Sequence, residues 1–284
     1  MPKRLQPALS DRLERITSRN NARVKELRRA FHAGVPNERH EVAVEGMHLL
    51  EEAIRSGLRL STVFFSESAL ERAHKLLPQL PNQTETLVLP DNVFAGAVPT
   101  EAPQGIAAMV RVKEHSLPDI LHAQPALLVI AAGLQDPGNL GTIARAGEAF
   151  GATGLILAEN TVSAWNWKAI RASAGSLFRL GTAKAKLAEA IAELKQRGIA
   201  VVATSSHRGK SIAETDLTRP VALMIGNEGA GLPKPVLAQA DAIVAIQQSD
   251  TVESLNAAIA ASVMLYEASR QRRLKPRRQG EPEG

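Results

Sequence analysis

At 284 residues and 44% apolar content, the chain can fill one large or two smaller hydrophobic cores, and it holds no run of about eighteen apolar residues of the kind that spans a membrane. Without cysteine it cannot build disulfides, thiolate nucleophiles or cysteine-ligated zinc, and its seven histidines (His32, His40, His48, His74, His115, His122, His207) show no metal-ligand spacing, so no metal is expected. The net charge of +5 gathers at the ends: residues 1–30 carry nine Lys/Arg against three Asp/Glu, and residues 270–284 carry six against two, as suits either a grip on a polyanion or plain solvated tails.

The amino terminus, MPKRLQPALSDRLERI, lacks the apolar block of a secretory signal, so cytoplasmic residence is the expectation, and residues 1–15 read as a basic arm. A first α/β block then spans 16–113: helix 20–32, strand HEVAVEG, helix 47–56, strand STVFF, helix 67–77, strand ETLVL and strand GIAAMVRV. Its opening stretch, SRNNARVKELRRAF, reads as a helix with one densely basic face. Aromatics are only 3% of the chain, which argues against a platform of stacked bases, so any nucleic-acid contact is expected at backbone and shape. KEHSLPDILHAQP mixes charge with two prolines and reads as a linker over 114–125.

The second block, 126–270, opens with ALLVIAAGL, an apolar run bounded by turn signals, as a strand buried on both faces requires. After strand 126–132 come helix 141–150, strand 153–158, helices 166–174 and 185–197, strands 199–204, 220–225 and 242–246, and helix 254–269. This alternation predicts a parallel α/β sheet. Residues 271–284 form a basic tail.

In such sheets ligands lie beyond the carboxyl ends of the strands, where three loops emerge: QDPGNLG (135–141), GNEGAGLP (226–233) and QQSDTVESLN (247–256). Gly226, Gly229 and Gly231 follow neither the dinucleotide fingerprint nor a phosphate loop, and Glu228 among them would repel a phosphate, so the stretch is either a tight structural turn or a site for a ligand with donors or positive charge. Ser254 is placed to cap the last helix, with Asn256 just inside its first turn. Arg145, on the Ala/Gly-rich helix after the first loop, either pairs with Glu148 three residues on or clamps a phosphate and polarises a hydroxyl.

Taken together, DPGNLGTIARAGEAFGA, ALMIGNEGAGLP and VESLNAAIAASVMLYE resemble, in this order and spacing, the three motifs of the SpoU (TrmH-like) family of RNA ribose 2′-O-methyltransferases, within the SPOUT superfamily. The resemblance covers 125–270, and more loosely 16–113, which is similar to the small ribosomal-protein-like RNA-binding domain carried in front by many members. It implies S-adenosylmethionine as methyl donor, a homodimer and a carboxyl-terminal trefoil knot. Carried over, Asn139 and Arg145 match the first motif's residues that bind or activate the ribose and its phosphate. Glu228 matches the second motif's carboxylate, and Ser254 and Asn256 the third motif's pair. Gly226, Ile246 and Leu255 match positions whose backbone holds the cofactor, and Thr204 lines the same pocket. The chain departs from the family at Ile246-Gln247-Gln248-Ser249-Asp250, where Ile-Pro-Met and a following glycine are usual, so the loop's φ angles are set differently.

The reaction implied is methylation of a ribose 2′-hydroxyl in RNA, with 23S ribosomal RNA as the leading substrate. Transfer RNA is the alternative substrate, and an RNA-binding pseudo-enzyme that lost methyl transfer through the 247–250 changes is the alternative function. A nicotinamide dehydrogenase lacks its fingerprint here. Arginine stays protonated, so Arg145 is read as orienting the nucleotide and stabilising developing oxyanion charge, with Glu228 and Asn256 holding the loops in register.

Overall fold

In the computed structural model of the protein, residues 12–122, 124–205, 208–249 and 251–274 are described. Most of the basic arm 1–15 and of the tail 271–284, along with His207 and Asp250, lies outside them. The chain divides into two compact units, one comprising the chain up to Lys113 plus Trp165–Phe178, the other Glu114–Ala164 plus Arg179 onward.

The first unit is built on a five-stranded sheet of β1 (Leu13–Arg15), β2 (Glu41–Glu45), β3 (Arg59–Ser66), β4 (Glu85–Leu89) and β5 (Ile106–Arg111), in the order β1-β4-β3-β5-β2. β4 runs parallel to β1 and β3, and β5 antiparallel to β3 and β2. Helix α1 (Ala22–Ala33) starts where the Asn21 side chain accepts the Arg23 N–H, and ends at Gly34 with φ 62°. Its Val24, Leu27 and Phe31 recur on one face and pack with Ala43, Phe64, Leu87 and Met109 of the sheet. The remaining helices of the stretch are α2 (Met47–Arg55), α3 (Leu70–Leu76) and α4 (Asp91–Ala95). Both β1 and α4 escape the sequence reading, being three and five residues long, too short to display a period.

The second unit carries a seven-stranded sheet, parallel throughout: β6 (Leu127–Ala131), β7 (Gly154–Leu157), β8 (Thr182–Lys184), β9 (Ala200–Thr204), β10 (Lys210–Ser211), β11 (Val221–Ile225) and β12 (Ala242–Ala245), in the order β10-β12-β9-β11-β6-β7-β8. β6, β7 and β11 are buried along their whole length, which explains their unbroken apolar sequences. The expected linker contains a one-turn helix, α5 (Leu117–Ile120), closed by a capping box between Ser116 and Asp119.

Helix α6 (Pro137–Ala149) starts four residues earlier than the sequence suggests. Asp136 is its N-cap, accepting the Gly138 N–H at 2.9 Å, and Pro137 occupies the first helical position, so Asp-Pro-Gly-Asn is the first turn of the helix and not a turn preceding it. The next helix, α7 (Trp167–Ser173), groups with the first unit, where Gly175 lies so close to α2 that a Cβ on it would stand 2.6 Å from Glu52 Cβ. After α8 (Leu187–Gln196) and the short α9 (Lys234–Leu237), the described chain ends in α10 (Ala257–Leu274).

Helix α10 lies on α6, and small residues line both partners: Gly141 and Ala144 on one, Ala257, Ala258 and Ala261 on the other, all buried. This answers the Ala/Gly richness of α6. At the far end of α10, the Arg272 guanidinium donates to the carbonyls of Pro125, Ala126, Leu217 and Arg219 at 2.8–3.1 Å, tying the helix to the entries of β6 and β11. The order of strands reverses direction between β6, which leads on to β7 and β8, and β11, which leads on to β9, β12 and β10. A crevice opens beyond the carboxyl ends of β9, β11 and β12, on the β11 side of this switch.

Candidate active site

The crevice has a volume of about 350 Å³ and is walled by the carboxyl ends of β9, β11 and β12, the loop 226–232, and the segment leading into α10. Six of the residues carried over from the family motifs or assigned to the pocket line it: Thr204, Gly226, Glu228, Ile246, Ser254 and Leu255. Its other walls mix apolar side chains (Ile225, Leu232, Val244) with the Gln248 amide and backbone, and among the described residues no Lys, Arg or His lines it. Such a half-apolar chamber, with Glu228 the one carboxylate among the described lining residues, fits an amphiphilic ligand that is cationic or zwitterionic, in the size range of a nucleoside derivative, and is hostile to a pyrophosphate.

The 226–232 loop is a rigid wall. Gly226 runs against the returning chain so closely that a Cβ would meet Gly231 carbonyl carbon at 2.5 Å, which only glycine avoids. Asn227 organises the turn: its Oδ1 accepts the N–H groups of Gly229 and Ala230, each at 3.0 Å, and its Nδ2 donates to Gly133 O at 2.9 Å. The sequence reading passed over Asn227, although an asparagine before Glu-Gly-Ala-Gly is a recognisable turn signal.

Glu228 clasps the first loop. One carboxylate oxygen accepts from Asp136 N and Asn139 Nδ2, both at 3.1 Å, and the other accepts from Gln135 N at 3.2 Å and Asn227 Nδ2 at 3.5 Å. Burial works to raise its pKa, but the Asn139 side chain and the backbone N–H groups around it outweigh that and hold the carboxyl below its usual value. Asn139 is itself buried, and its Oδ1 accepts from Asn256 Nδ2 at 2.9 Å. Asn256 in turn accepts the N–H groups of Ala258 and Ile259 on Oδ1. The amide orientations follow from the two ends of this run: the carboxylate can only accept, and the helix N–H groups can only donate.

Asn256 is therefore the N-cap of α10. Ser254, the cap suggested by the sequence, lies exposed two residues earlier, where it faces the crevice. In the departing segment, Ile246 and Gln248 still form wall, Gln248 Nε2 donates to Glu253 O at 3.4 Å, and Val252 N to Ser249 O at 3.0 Å.

Arg145 is on the exposed stripe of α6 with Thr142, two turns beyond Asp136, and does not line the crevice. The pairing with Glu148 does not form. Glu148 is taken by Arg179, whose Nη2 reaches Oε2 at 3.0 Å, and Arg145 has no hydrogen-bond or ion-pair partner among the described residues. An unpaired guanidinium is left free for an anionic or hydroxylic ligand. Among the described residues no group of three or more His, Cys, Asp or Glu could hold a metal, and no helix is long and apolar enough to cross a membrane.

A parallel α/β unit with such a crevice, in a chain that also carries a second α/β unit, is the architecture of an RNA methyltransferase: over 91% of this chain and 98% of the other, the fold matches the AdoMet-bound rRNA methyltransferase from Sinorhizobium meliloti with a TM-score of 0.80 and 30% identity. Residues 126–266 match the SpoU rRNA Methylase family, and residues 21–108 match the MRM3-like substrate binding domain. The chain is 30% identical over 258 residues to the 23S rRNA (guanosine(2553)-2′-O)-methyltransferase RlmP of Bacillus subtilis, covering 89% of this chain and 98% of that protein. It is 31% identical over 268 residues to the 23S rRNA (uridine(2479)-2′-O)-methyltransferase of Streptomyces viridochromogenes, covering 91% and 92%. The protein belongs to the SpoU family of RNA methyltransferases.

Proposed function

We propose that the protein methylates a ribose 2′-hydroxyl of 23S ribosomal RNA with S-adenosylmethionine as donor. The two ribosomal relatives, each matched over nearly its full length, and the AdoMet-bound neighbour support substrate and cofactor. The observation that carries the reading is the run of hydrogen bonds Asn256–Asn139–Glu228, which joins the three loops at the crevice through one residue from each.

S-adenosylmethionine, when bound, supplies an electrophilic methyl group. Thr204, Gly226, Ile246 and Leu255 hold it through the crevice wall, where none of the described lining residues is a cation that would repel its positive charge. Glu228 and Asn256, through Asn139, keep the loops in register, and Ser254 lies at the same wall. Arg145 binds the target nucleotide's phosphate or 2′-oxygen and stabilises charge developing on that oxygen. It cannot take the proton, which leaves to phosphate or water. Alignment of the hydroxyl contributes up to about 7–11 kcal/mol.

The reading includes the family's trefoil knot, with which the packing of α10 on α6 is in keeping, and cytoplasmic residence beside the ribosome. It also includes a homodimer. Ile259 and Tyr266 are 54% and 55% exposed and, with Val263, form an apolar stripe on α10, where Tyr266 meets Phe150 edge to face at 5.8 Å. Light scattering should give twice the chain mass of 30.4 kDa, and Ile259→Glu with Tyr266→Glu should give a single chain mass; a monomeric wild type removes the dimer from the reading.

Ribose-methylation mapping of total RNA with and without the gene tests the function. Loss of one 23S site is the expected result. Loss of a transfer RNA site would move the substrate, and no change at any site would favour a protein that binds RNA without methyl transfer.

A further inference from the structure

Helix α1 carries its charge in an arrangement that works against its own stability. Lys25, Arg28, Arg29 and His32 stand at i, i+3, i+4 and i+7, so each has two basic neighbours at the spacings where helical side chains meet. No acidic residue occupies the first turn, where the helix dipole favours one. The only carboxylate of the helix, Glu26, does not relieve the cluster: it is engaged by Arg23 at 3.1 Å and by Arg39.

What remains is a face of basic side chains with no carboxylate set among them. Lys25, Arg29 and His32 are exposed and have no hydrogen-bond or ion-pair partner among the described residues, while Arg28 keeps most of its guanidinium free after donating Nε to Gly96 O at 3.0 Å. A merely solvated face looks different in this same protein. Around α8, Lys186 pairs with Glu189, Arg197 with Glu193, and Lys195 with Asp241. No Phe, Tyr or Trp belongs to the α1 stripe, which suits contact with the backbone more than with stacked bases.

We propose that this face of α1 is the surface on which the protein grips RNA phosphates, independently of base sequence. The proposal rests on the RNA methyltransferase reading and adds where the substrate's backbone is held. Each phosphate neutralised by a lysine or arginine releases counterions and steepens the salt dependence of binding by about 0.7–0.9 in logarithmic slope.

The test is fluorescence anisotropy of a fluorescein-labelled RNA hairpin with the full-length protein over a salt series, using wild type, Lys25→Gln with Arg29→Gln, and a control that removes equal charge from α8, Lys195→Gln with Arg197→Gln. The α1 variant should bind more weakly and lose about 1.5 from the slope, by the same amount for a second hairpin of scrambled sequence, while the control keeps the wild-type slope. Its melting temperature should be no lower than wild type, since like-charge contacts are relieved, which separates lost contacts from lost folding. An unchanged slope in the α1 variant with wild type binding, or an equal loss in the control, overturns this surface alone. Wild-type protein that binds neither hairpin overturns the methyltransferase reading, and the surface with it.

Discussion

Arg145→Ala is expected to lower the rate of methyl transfer about 10²- to 10³-fold while leaving the affinity for S-adenosylmethionine at the wild-type value. The split follows from position. Arg145 does not line the crevice, so cofactor binding has nothing to lose, and it is exposed without a hydrogen-bond or ion-pair partner among the described residues, so its removal breaks no such contact there. Alanine is the better helix former at an exposed position, and the melting temperature should stay within a degree or two of wild type. Arg145→Lys keeps the charge but not the planar fork, and should recover only part of the rate if two oxygens are held at once. Single-turnover transfer of a radiolabelled methyl group, with calorimetry of cofactor binding, measures both quantities. Full activity in Arg145→Ala would end the assignment, and a matching loss of cofactor affinity would relocate the residue into the pocket.

The sequence made the second unit's architecture legible because buried parallel strands write themselves as short apolar runs, as in β6 and β11, with glycine- and asparagine-rich loops at their carboxyl ends. It was less informative where two local signals compete. Asp136-Pro137 reads as a turn until the helix after it is seen to start at the proline, and Ser254 precedes a better-placed cap in Asn256. Strands β8 and β10 and helix α9, with three, two and four residues, lie below the length at which any period shows.

Long-range competition was invisible. The spacing of Arg145 and Glu148 is right for an ion pair, yet Arg179, thirty-one residues on from Glu148, captures the carboxylate. Likewise the three loops could be expected to converge, but not that a single carboxylate would accept from Gln135, Asp136 and Asn139 some ninety residues away. Those bonds exist only once β6 and β11 lie side by side, and side-by-side pairing of parallel strands leaves no local mark in sequence.

That clasp sets up the second large effect, in Glu228→Gln. Each carboxylate oxygen accepts from two donors, and an amide turns one of the two acceptors into a donor aimed at two N–H groups. Whichever way the amide rotates, either Gln135 N and Asn227 Nδ2 or Asp136 N and Asn139 Nδ2 are repelled, and the loop that starts α6 shifts relative to the crevice. A displacement near 1 Å is enough for a loss of about 10²-fold in rate. Because Glu228 also lines the crevice, cofactor affinity should fall with the rate, which Arg145→Ala does not do. Acid should produce the same injury in the wild type. The folded carboxyl has a pKa held below its ordinary 4.5, so its contribution to stability is present above that value and is lost as pH falls through the folded one. The gap in melting temperature between wild type and Glu228→Gln should therefore be widest near neutrality and should narrow in acid, as pH falls below 4.5 and through the lowered folded value, where the wild-type side chain also becomes a donor. Melts at both pH values, with turnover and cofactor calorimetry at neutrality, check the sign and the size together, and a variant with wild-type rate, affinity and pH response would mean that the loops hold their register without the carboxylate.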